Sequence, residues 1–368
     1  MKKTFFAPGR VNLIGDHTDY NGGLVFPAAL DMGTYLALEE WENEDECHFV
    51  SLNSTDEFII DADMLDQKMD AWVDYPSGVI QEFAQRGFSV KGLDFQYNGN
   101  LPIEAALSSS ASVEVVTAIA LNEHFGSPFS MLELVKMAQH AENAFVGMNC
   151  GIMDQFASAF GKKDNAIVLD CNDLHYEWVP LTMDGLKFVI GNTNKKRGLV
   201  DSAYNQRCSE CRQGLELIQQ KTAVDALCQL STEQFVEVSG MLEGVVLHRV
   251  RHAVSENDRV KEAVEALRRG DMVQFGKLMN ASHASLRDDY AVSCDELDFL
   301  VEQAQSFEGV LGSRMTGAGF GGCTVTLMKE DAIEQFIATA GARYEEHFGH
   351  SADFYVAEIG DGASQIVE

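Results

Sequence analysis

The stretch from Ser109 to about Phe125 constrains the fold most, because its residues are almost all apolar once its serines are passed. A helix that is apolar all round must be covered on every side, so this one is predicted to lie inside a large core. Gly126 follows it at the position where a helix commonly ends. A chain of 368 residues is long enough for such a core, and its length suggests roughly two domains of ~150 residues.

The rest of the chain mixes helices and strands without the regular alternation of a doubly wound sheet, so we predict an α+β fold. A capping box at Ser130 and Glu133 opens a further helix. The predicted helices cover residues 109–125, 130–146, 253–269, 271–280 and 295–305. The predicted strands cover residues 50–54, 58–60, 166–170, 188–191, 323–328 and 354–359. The polar stretch 171–184 separates a predicted N-terminal domain, residues 1–180, from a C-terminal domain, residues 181–368.

Acidic side chains outnumber basic ones by 57 to 27, so the formal net charge is −30. Phosphate backbones and anionic membrane surfaces repel such a chain, which argues against nucleic acid and membranes as partners. No apolar run approaches the ~20 residues that span a bilayer. The eight cysteines are scattered in the manner of reduced thiols and do not form a disulfide framework. These features predict a cytoplasmic protein, which we expect to be a monomer.

A glycine-rich loop, residues 317–322, matches the G-x-G-x-x-G pattern of dinucleotide-binding proteins by letter only. In those proteins the glycines follow a strand and open a helix, whereas here they open onto the strand-like run 323–327. A structural tight turn is one interpretation of the loop. The number of glycines favours another, in which the backbone approaches a ligand closely.

A second loop, Leu107-Ser108-Ser109-Ser110-Ala111-Ser112, leads into the buried helix. Serine hydroxyls, free backbone N–H groups and the positive end of the helix dipole coincide there. Together they form a site for an anion such as a phosphate group. Simple N-capping is the alternative, but it needs one serine and not four.

Glu142 shares one face of a predicted helix with Val135, Ala138 and Phe145, which are apolar. A carboxylate on such a face has to be paired, protonated or bound to a metal ion. On these residues alone, a structural salt bridge explains the position equally well.

The segment from residue 9 to residue 23 places many hydrogen-bonding side chains among apolar neighbours and glycines. They are Arg10, Asn12, Asp16, His17, Asp19, Tyr20 and Asn21. Dense donors and acceptors suit a polyhydroxylated ligand, because each hydroxyl of a bound sugar needs a partner.

These segments closely resemble those of galactokinases, which belong to the GHMP small-molecule kinase superfamily. Residues 9–23 resemble the galactokinase signature, residues 107–112 the phosphate loop of the superfamily, and residues 314–323 its third motif. Residues 151–155, 192–195 and 280–290 also resemble galactokinase segments, so the similarity covers essentially the whole chain in order. The resemblance implies a two-domain fold with the active site in the cleft between the domains. It also implies transfer of the γ-phosphoryl group of ATP to the anomeric hydroxyl of D-galactose, with Mg²⁺.

The resemblance implies roles for individual residues. Arg10 and Asp154 would be catalytic and flank the sugar O1 atom, while Ser110 and Glu142 would hold the metal ion. The sugar pocket would be lined by Asp16, His17, Asp19, Gly151, Asp154 and Tyr204. ATP would lie against Trp72, Tyr75, Leu107, Ser108, Ser109, Ser110, Ala111 and Ser112. Asp154 would act either as a general base or by charge and orientation alone, and the sequence does not distinguish these two roles.

Two features depart from the galactokinase pattern and leave alternatives open. Glu104, Ala105 and Ala106 stand where galactokinases usually have glycines, so we expect Glu104 to point to solvent, since it would otherwise oppose the phosphates. Asp16 replaces the usual glutamate, which leaves the preference at sugar C6 open. The alternatives are a 1-kinase for another sugar, such as N-acetylgalactosamine or L-arabinose, and a non-catalytic regulator that binds sugar and ATP.

Overall fold

The computed structural model describes residues 2–102, 107–195 and 200–367, without the side chains of residues 200 and 201. The strands are β1 (Lys3–Asn12), β2 (Leu24–Val25), β3 (Pro27–Glu40), β4 (Glu46–Ser51), β5 (Glu57–Asp61), β6 (Leu93–Gly99), β7 (Asn165–Asp170), β8 (Tyr176–Pro180), β9 (Leu186–Asn192), β10 (Val310–Thr316), β11 (Cys323–Lys329), β12 (Asp353–Ala357) and β13 (Ser364–Ile366). The α-helices are α1 (Asp74–Gln85), α2 (Ser109–His124), α3 (Met131–Ala141), α4 (Met153–Phe160), α5 (Val200–Ile218), α6 (Thr232–Val238), α7 (Gly244–Arg268), α8 (Met272–Ser285), α9 (Asp295–Gln305) and α10 (Ile333–Phe348). Two π-helical turns, Glu142–Val146 and Leu286–Tyr290, extend α3 and α8.

The largest sheet has six strands in the order β13-β1-β3-β6-β4-β5, and only the β4–β6 pair is parallel. Helix α2 packs against β1 and β3 of this sheet and is surrounded by α1, α3 and α4. Neighbours on every side leave no solvent-facing stripe, which is why this helix is apolar almost all round. The predicted buried helix is therefore confirmed, with Gly126 following its end in a left-handed conformation.

A second sheet, in the antiparallel order β10-β11-β9-β12, carries the glycine-rich loop between β10 and β11. Helices α8 and α9 pack on it. Gly276 of α8 lies so close to β10 that a Cβ atom there would stand 2.2 Å from the carbonyl oxygen of Leu311. A glycine at this position allows the helix to approach the strand.

A third, three-stranded sheet (β2-β7-β8) lies next to a helical layer in which α7 contacts α5, α6 and α8. Helix α7 also fixes the loop that follows β1. Buried Glu256 of α7 accepts a hydrogen bond from the backbone N–H of Gly15 at 3.0 Å, and Asn257 accepts one from the N–H of Leu24 at 2.8 Å. The loop predicted to bind a sugar is therefore attached to a rigid helix.

The predicted helix 295–305 and the capping box at Ser130 are confirmed, whereas several boundaries are wrong. The predicted helix 130–146 ends at Ala141 and continues as a π-helical turn. The predicted start of a helix at residue 253 is wrong, because α7 begins at Gly244. The sequence does not indicate this start, since Glu243 forms no side-chain cap. The predicted strand 50–54 is wrong beyond Ser51, because the N–H of Ser54 bonds to the carbonyl of Ser51 and closes a turn.

The last strand, β13, returns to the first sheet and pairs with β1 in the register Thr4 to Ile366. The division of the chain at residue 180 stays a prediction, and β13 is an element of the second part that completes the sheet of the first. The eight cysteines are free thiols, as predicted. Among the described residues, no helix has both the length and the apolar character that crossing a membrane requires.

Candidate active site

A cavity of about 580 Å³ opens where the end of β1, the start of α2, α4, α5 and the glycine-rich loop meet. It gathers most of the residues to which the sequence analysis gave a role. These are Arg10, Asp16, His17, Asp19, Trp72, Tyr75, Ser108, Ser109, Ser110, Glu142, Gly151, Asp154 and Tyr204. Gly317 and Ala318 line the same cavity, so the glycine-rich loop does face a space that a ligand can occupy.

Arg10 of β1 and Asp154, in the first turn of α4, form a two-pronged ion pair at the cavity wall. Arg10 Nε donates to Asp154 Oδ1 at 2.8 Å, and its terminal nitrogen donates to Oδ2 at 2.9 Å. The hydroxyl of Ser108 donates to the same Oδ2 at 2.6 Å. Three donors therefore fix the plane of one carboxylate.

The serine loop divides into a part that faces the cavity and a part that supports it. Ser108 adopts a left-handed backbone with φ of 61°, and α2 begins directly after it. Ser108, Ser109 and Ser110 line the cavity at the positive end of α2. Ser112 is held elsewhere, since its hydroxyl lies 2.7 Å from the carbonyl oxygen of Ala7 and its N–H bonds to Ser108. Leu107 and Ala111 are buried, and neither lines the cavity.

Two buried carboxyl groups, Glu142 and Glu114, lie behind the serine loop. Glu142 begins the π-helical turn after α3, where its carboxylate accepts from Gln155 at 2.6 Å and hydrogen-bonds to Ser110. Burial and the charge of Asp154 raise the pKa of Glu142 to about 7. Burial and the charge of Glu142 raise the pKa of Glu114 well above its usual value, and Glu114 Oε1 has no hydrogen-bond partner. Both carboxyl groups therefore hold a proton more readily than an exposed glutamate does.

Asp19 and Gly151 meet at the far side of Asp154. Burial and the charge of Asp154 raise the pKa of Asp19 to about 7. Gly151 passes so close to Asp19 that a Cβ atom there would stand 1.9 Å from Asp19 Oδ2. Only a residue without a side chain allows this carboxylate to face the cavity.

Asp16 lines the cavity, but its carboxylate already accepts hydrogen bonds from other residues of the protein. Asn12 donates to Oδ1 at 2.9 Å and the N–H of Gly317 donates to the same atom at 3.1 Å. The guanidinium of Arg314, a fully buried side chain on β10, pairs with Oδ2. Asp16 therefore joins the signature loop to the glycine-rich loop, whatever else it contacts.

Several residues of the site received no role from the sequence. Arg314 and Gln155 belonged to recognised segments but were given no role, and Glu114 carried no signal because it lies within a helical pattern. Ser51, Asn53 and Ser54 line the cavity near Trp72, in the turn that was predicted to be strand. Trp72 Nε1 is buried there without a hydrogen-bond partner. Glu104, Ala105 and Ala106 lie outside the described residues, so the expectation for Glu104 stays a prediction.

Three family models match the chain. The galactokinase galactose-binding signature matches residues 2–40, the N-terminal domain of GHMP kinases matches residues 74–162, and the C-terminal domain of GHMP kinases matches residues 263–346. The first match covers the loop that carries Arg10, Asp16, His17 and Asp19.

Curated relatives match along nearly the whole chain. A galactokinase of Fusobacterium nucleatum is 49% identical and covers 98% of this chain and 94% of its own length. A galactokinase of Clostridium acetobutylicum is 50% identical, with coverages of 99% and 95%. A galactokinase of Bacillus subtilis is 49% identical, with coverages of 98% and 94%.

Solved structures have the same fold. The galactokinase of Lactococcus lactis complexed with galactose superposes with a TM-score of 0.96 at 43% identity, over 99% of this chain and 95% of its own. The mevalonate kinase of Methanococcus jannaschii reaches a TM-score of 0.70 at 17% identity, over 98% of each chain. This second likeness shows the fold alone.

Proposed function

Because this chain belongs to the galactokinase family of the GHMP kinases, we propose roles for the residues of its cavity in the reaction of that family. The chain is a sugar kinase that transfers the γ-phosphoryl group of ATP to the anomeric hydroxyl of D-galactose. The observation that carries the assignment of roles is the cluster of Arg10, Ser108 and Asp154 in the wall of the cavity. Sugar and phosphate groups would meet there.

We assign the orientation of the sugar O1 hydroxyl to Asp154. A carboxylate has about four lone-pair positions, and Arg10 and Ser108 occupy three of those on Asp154. The remaining position suits the O1 proton. In the loose transition state of phosphoryl transfer the attacking oxygen needs alignment more than early deprotonation. This favours orientation and charge over a strong general base, and leaves Asp154 to receive the proton late.

We assign the ATP phosphates to the N–H groups of Ser108, Ser109 and Ser110 and to the hydroxyl of Ser109, at the positive end of α2. The guanidinium of Arg10 lies beside them and stabilises charge that develops on the transferred group. Trp72 and Tyr75 also line the cavity, and we assign adenine to their rings. Ser112 supports the loop from behind through Ala7 and Thr34.

A magnesium ion fits beside Ser110 and Glu142. Both present oxygen atoms, which Mg²⁺ prefers, and a bound cation would stabilise the ionised form of Glu142, whose pKa burial and the charge of Asp154 raise. When bound with ATP, such an ion supplies positive charge to the phosphates. Glu142 holds its position for this role through Gln155, which also bonds to Glu114.

We assign the sugar hydroxyls to Asp19, Gly151 and Tyr204, with Asp16 and His17 at the same end of the cavity. The carboxylate of Asp16 is already held by Asn12, Arg314 and Gly317, so the preference at C6 is the part of the substrate assignment most open to change. We therefore keep a 1-kinase for another sugar as the second candidate function.

Release of ADP from Mg·ATP, measured against a panel of sugars, tests the function. The panel contains D-galactose, 2-deoxygalactose, N-acetylgalactosamine, D-fucose, L-arabinose and D-glucose. We expect the highest kcat/KM with D-galactose. Higher values for D-fucose or L-arabinose, which lack the C6 hydroxyl, would make this chain a kinase for those sugars. A rise in melting temperature with galactose but no turnover on any sugar would indicate a non-catalytic regulator.

The pH dependence of galactose binding tests the role of Asp19. Its pKa of about 7 means that the carboxyl is half protonated near neutral pH, and a protonated carboxyl is a weaker acceptor for sugar hydroxyls. With saturating Mg·ATP, kcat/KM for galactose is expected to fall roughly tenfold per pH unit below about pH 7. A flat profile between pH 5.5 and 8 would remove Asp19 from sugar binding.

Protonation of Asp19 does not itself destabilise the fold. The native state binds a proton at Asp19 more tightly than the unfolded chain does, so this group makes the protein more stable as the pH decreases toward 4. The melting temperature measured over the same pH range provides the control.

A further inference from the structure

A row of hydrogen bonds runs from α5 to the cavity, and none of these bonds was used in the roles assigned above. It joins Cys211 Sγ to Tyr290 Oη at 3.0 Å, Tyr290 Oη to Tyr20 Oη at 2.8 Å, and Tyr20 Oη to His17 Nδ1 at 2.7 Å. The other ring nitrogen of His17, Nε2, lies 3.2 Å from the carbonyl oxygen of Ala318. His17 and Ala318 line the cavity, whereas Cys211, Tyr290 and Tyr20 lie behind them.

The carbonyl group of Ala318 determines the direction of every hydrogen bond in this row. A carbonyl oxygen only accepts, so His17 Nε2 carries a proton and donates it. Burial lowers the pKa of His17 to about 3, so the ring is neutral and Nδ1 accepts from the hydroxyl of Tyr20. The oxygen of Tyr20 then accepts from Tyr290, and the oxygen of Tyr290 accepts from the thiol of Cys211. When every bond of the row is made, these directions follow from that of His17, and the additional hydrogen bond between Tyr20 and Cys208 is compatible with them.

The backbone conformation of His17 shows that contacts with other residues hold it in place. Its φ angle is 65°, in the left-handed region that residues with side chains rarely adopt. The ring of Tyr290 lies 4.7 Å from the His17 ring and that of Tyr204 lies 5.5 Å away, measured between centroids. A strained residue persists only where its neighbours determine its conformation: here Asn21 donates to the backbone carbonyl of His17 at 2.7 Å, and the tyrosines contact its ring.

We propose that Tyr20 and Tyr290 are positioning residues for the sugar end of the cavity. Tyr20 holds His17 as the Nε2–H tautomer, and His17 in turn attaches the signature loop to Ala318 of the glycine-rich loop. Tyr290, oriented by Cys211, points the hydroxyl of Tyr20 toward His17. The proposal rests on the assignment of this end of the cavity to galactose.

The substitution Tyr20→Phe tests the proposal, because it keeps the ring and removes only the hydroxyl. His17 Nδ1 then becomes a buried acceptor without a donor. We expect KM for galactose to rise about tenfold, the size that follows when a buried polar group loses its partner. We expect kcat and KM for ATP to change by less than about twofold, since neither Arg10 nor the serine loop belongs to the row. Tyr290→Phe should give a smaller rise, because Tyr20 still donates to His17.

Tyr344→Phe is the matched control. It removes a buried hydroxyl that donates to the carbonyl of Thr193 at 2.7 Å, and neither residue lines the cavity. We expect it to lower the melting temperature without changing KM for galactose. The ¹⁵N spectrum of labelled histidine provides a second readout: His17 should be the Nε2–H tautomer, and its Nδ1 resonance should shift in Tyr20→Phe because that nitrogen loses its donor.

The outcomes separate this proposal from the proposed function. A wild-type chain that does not phosphorylate galactose would overturn both. A wild-type chain that turns over galactose, with KM and the Nδ1 resonance of His17 unchanged in Tyr20→Phe, would overturn the positioning role alone. The same rise in KM in Tyr344→Phe would also overturn it, because loss of stability would then be the cause.

Discussion

Replacing Asp154 by asparagine is expected to lower kcat for galactose by about a thousandfold or more while the fold is retained. Asp154 receives three hydrogen bonds, two from Arg10 and one from Ser108. An asparagine amide places an NH₂ group opposite the donors of Arg10 and Ser108. It also has no negative charge to pair with Arg10. The O1 hydroxyl then loses its acceptor, and the guanidinium is free to turn away from the transferred phosphoryl group.

Steady-state release of ADP measures this effect, and the rise in melting temperature with galactose shows that the sugar still binds. Asp331→Asn, which removes an exposed carboxylate outside the cavity, is the matched control and should behave as the wild type. If Asp154→Asn retained a kcat near that of the wild type, Asp154 would have no part in the chemical step.

Gly151→Ala is expected to raise KM for galactose by roughly 10- to 100-fold, the range that corresponds to losing a hydrogen bond to a charged group. The added methyl group would stand 1.9 Å from Asp19 Oδ2 and 2.2 Å from Asp19 Cγ, so the carboxyl group has to move. The backbone is not the obstacle, because Gly151 does not have a positive φ angle. The effect should therefore appear in sugar binding and much less in KM for ATP.

Gly240→Ala is the control for this substitution, since Gly240 has no atom within 4 Å of the added methyl group and no positive φ angle. Measured KM values for galactose and ATP, together with melting temperatures, decide the result. Equal KM values for galactose in the two variants would mean that Asp19 does not contact the sugar where we place it.

The sequence predicted those parts of the site that depend on local pattern. The serine loop is recognisable because a helix start needs one capping hydroxyl, whereas this start has four serines nearby. Glu142 is recognisable because it interrupts an apolar helix face. The resemblance to galactokinases then supplied Arg10 and Asp154, which no local pattern connects. Their pairing depends on β1 and α4 being neighbours, which is a property of the tertiary fold.

The remaining parts of the site required the structure. The ion pair between Arg314 and Asp16 joins residues that are far apart in sequence. The strand pattern around Arg314 does not indicate that its guanidinium group is buried. The π-helical turn at Glu142 has the same residue types as an ordinary helix, so its different hydrogen bonding does not appear in the spacing. The sequence also does not show why position 151 needs a glycine, because the reason is the close approach of the Asp19 carboxyl group in the folded chain.

The return of β13 to β1 affects how the protein can be made and handled. The paired residues are about 360 positions apart, so this sheet gains its outer strand only through a contact of very high sequence separation, and such contacts form late in folding. Until then one edge of β1, the strand that carries Arg10, has open hydrogen-bonding groups that can pair with another chain. A recombinant fragment that ends at residue 180 would keep this edge open permanently. We expect it to aggregate, so the two halves should be studied as one polypeptide.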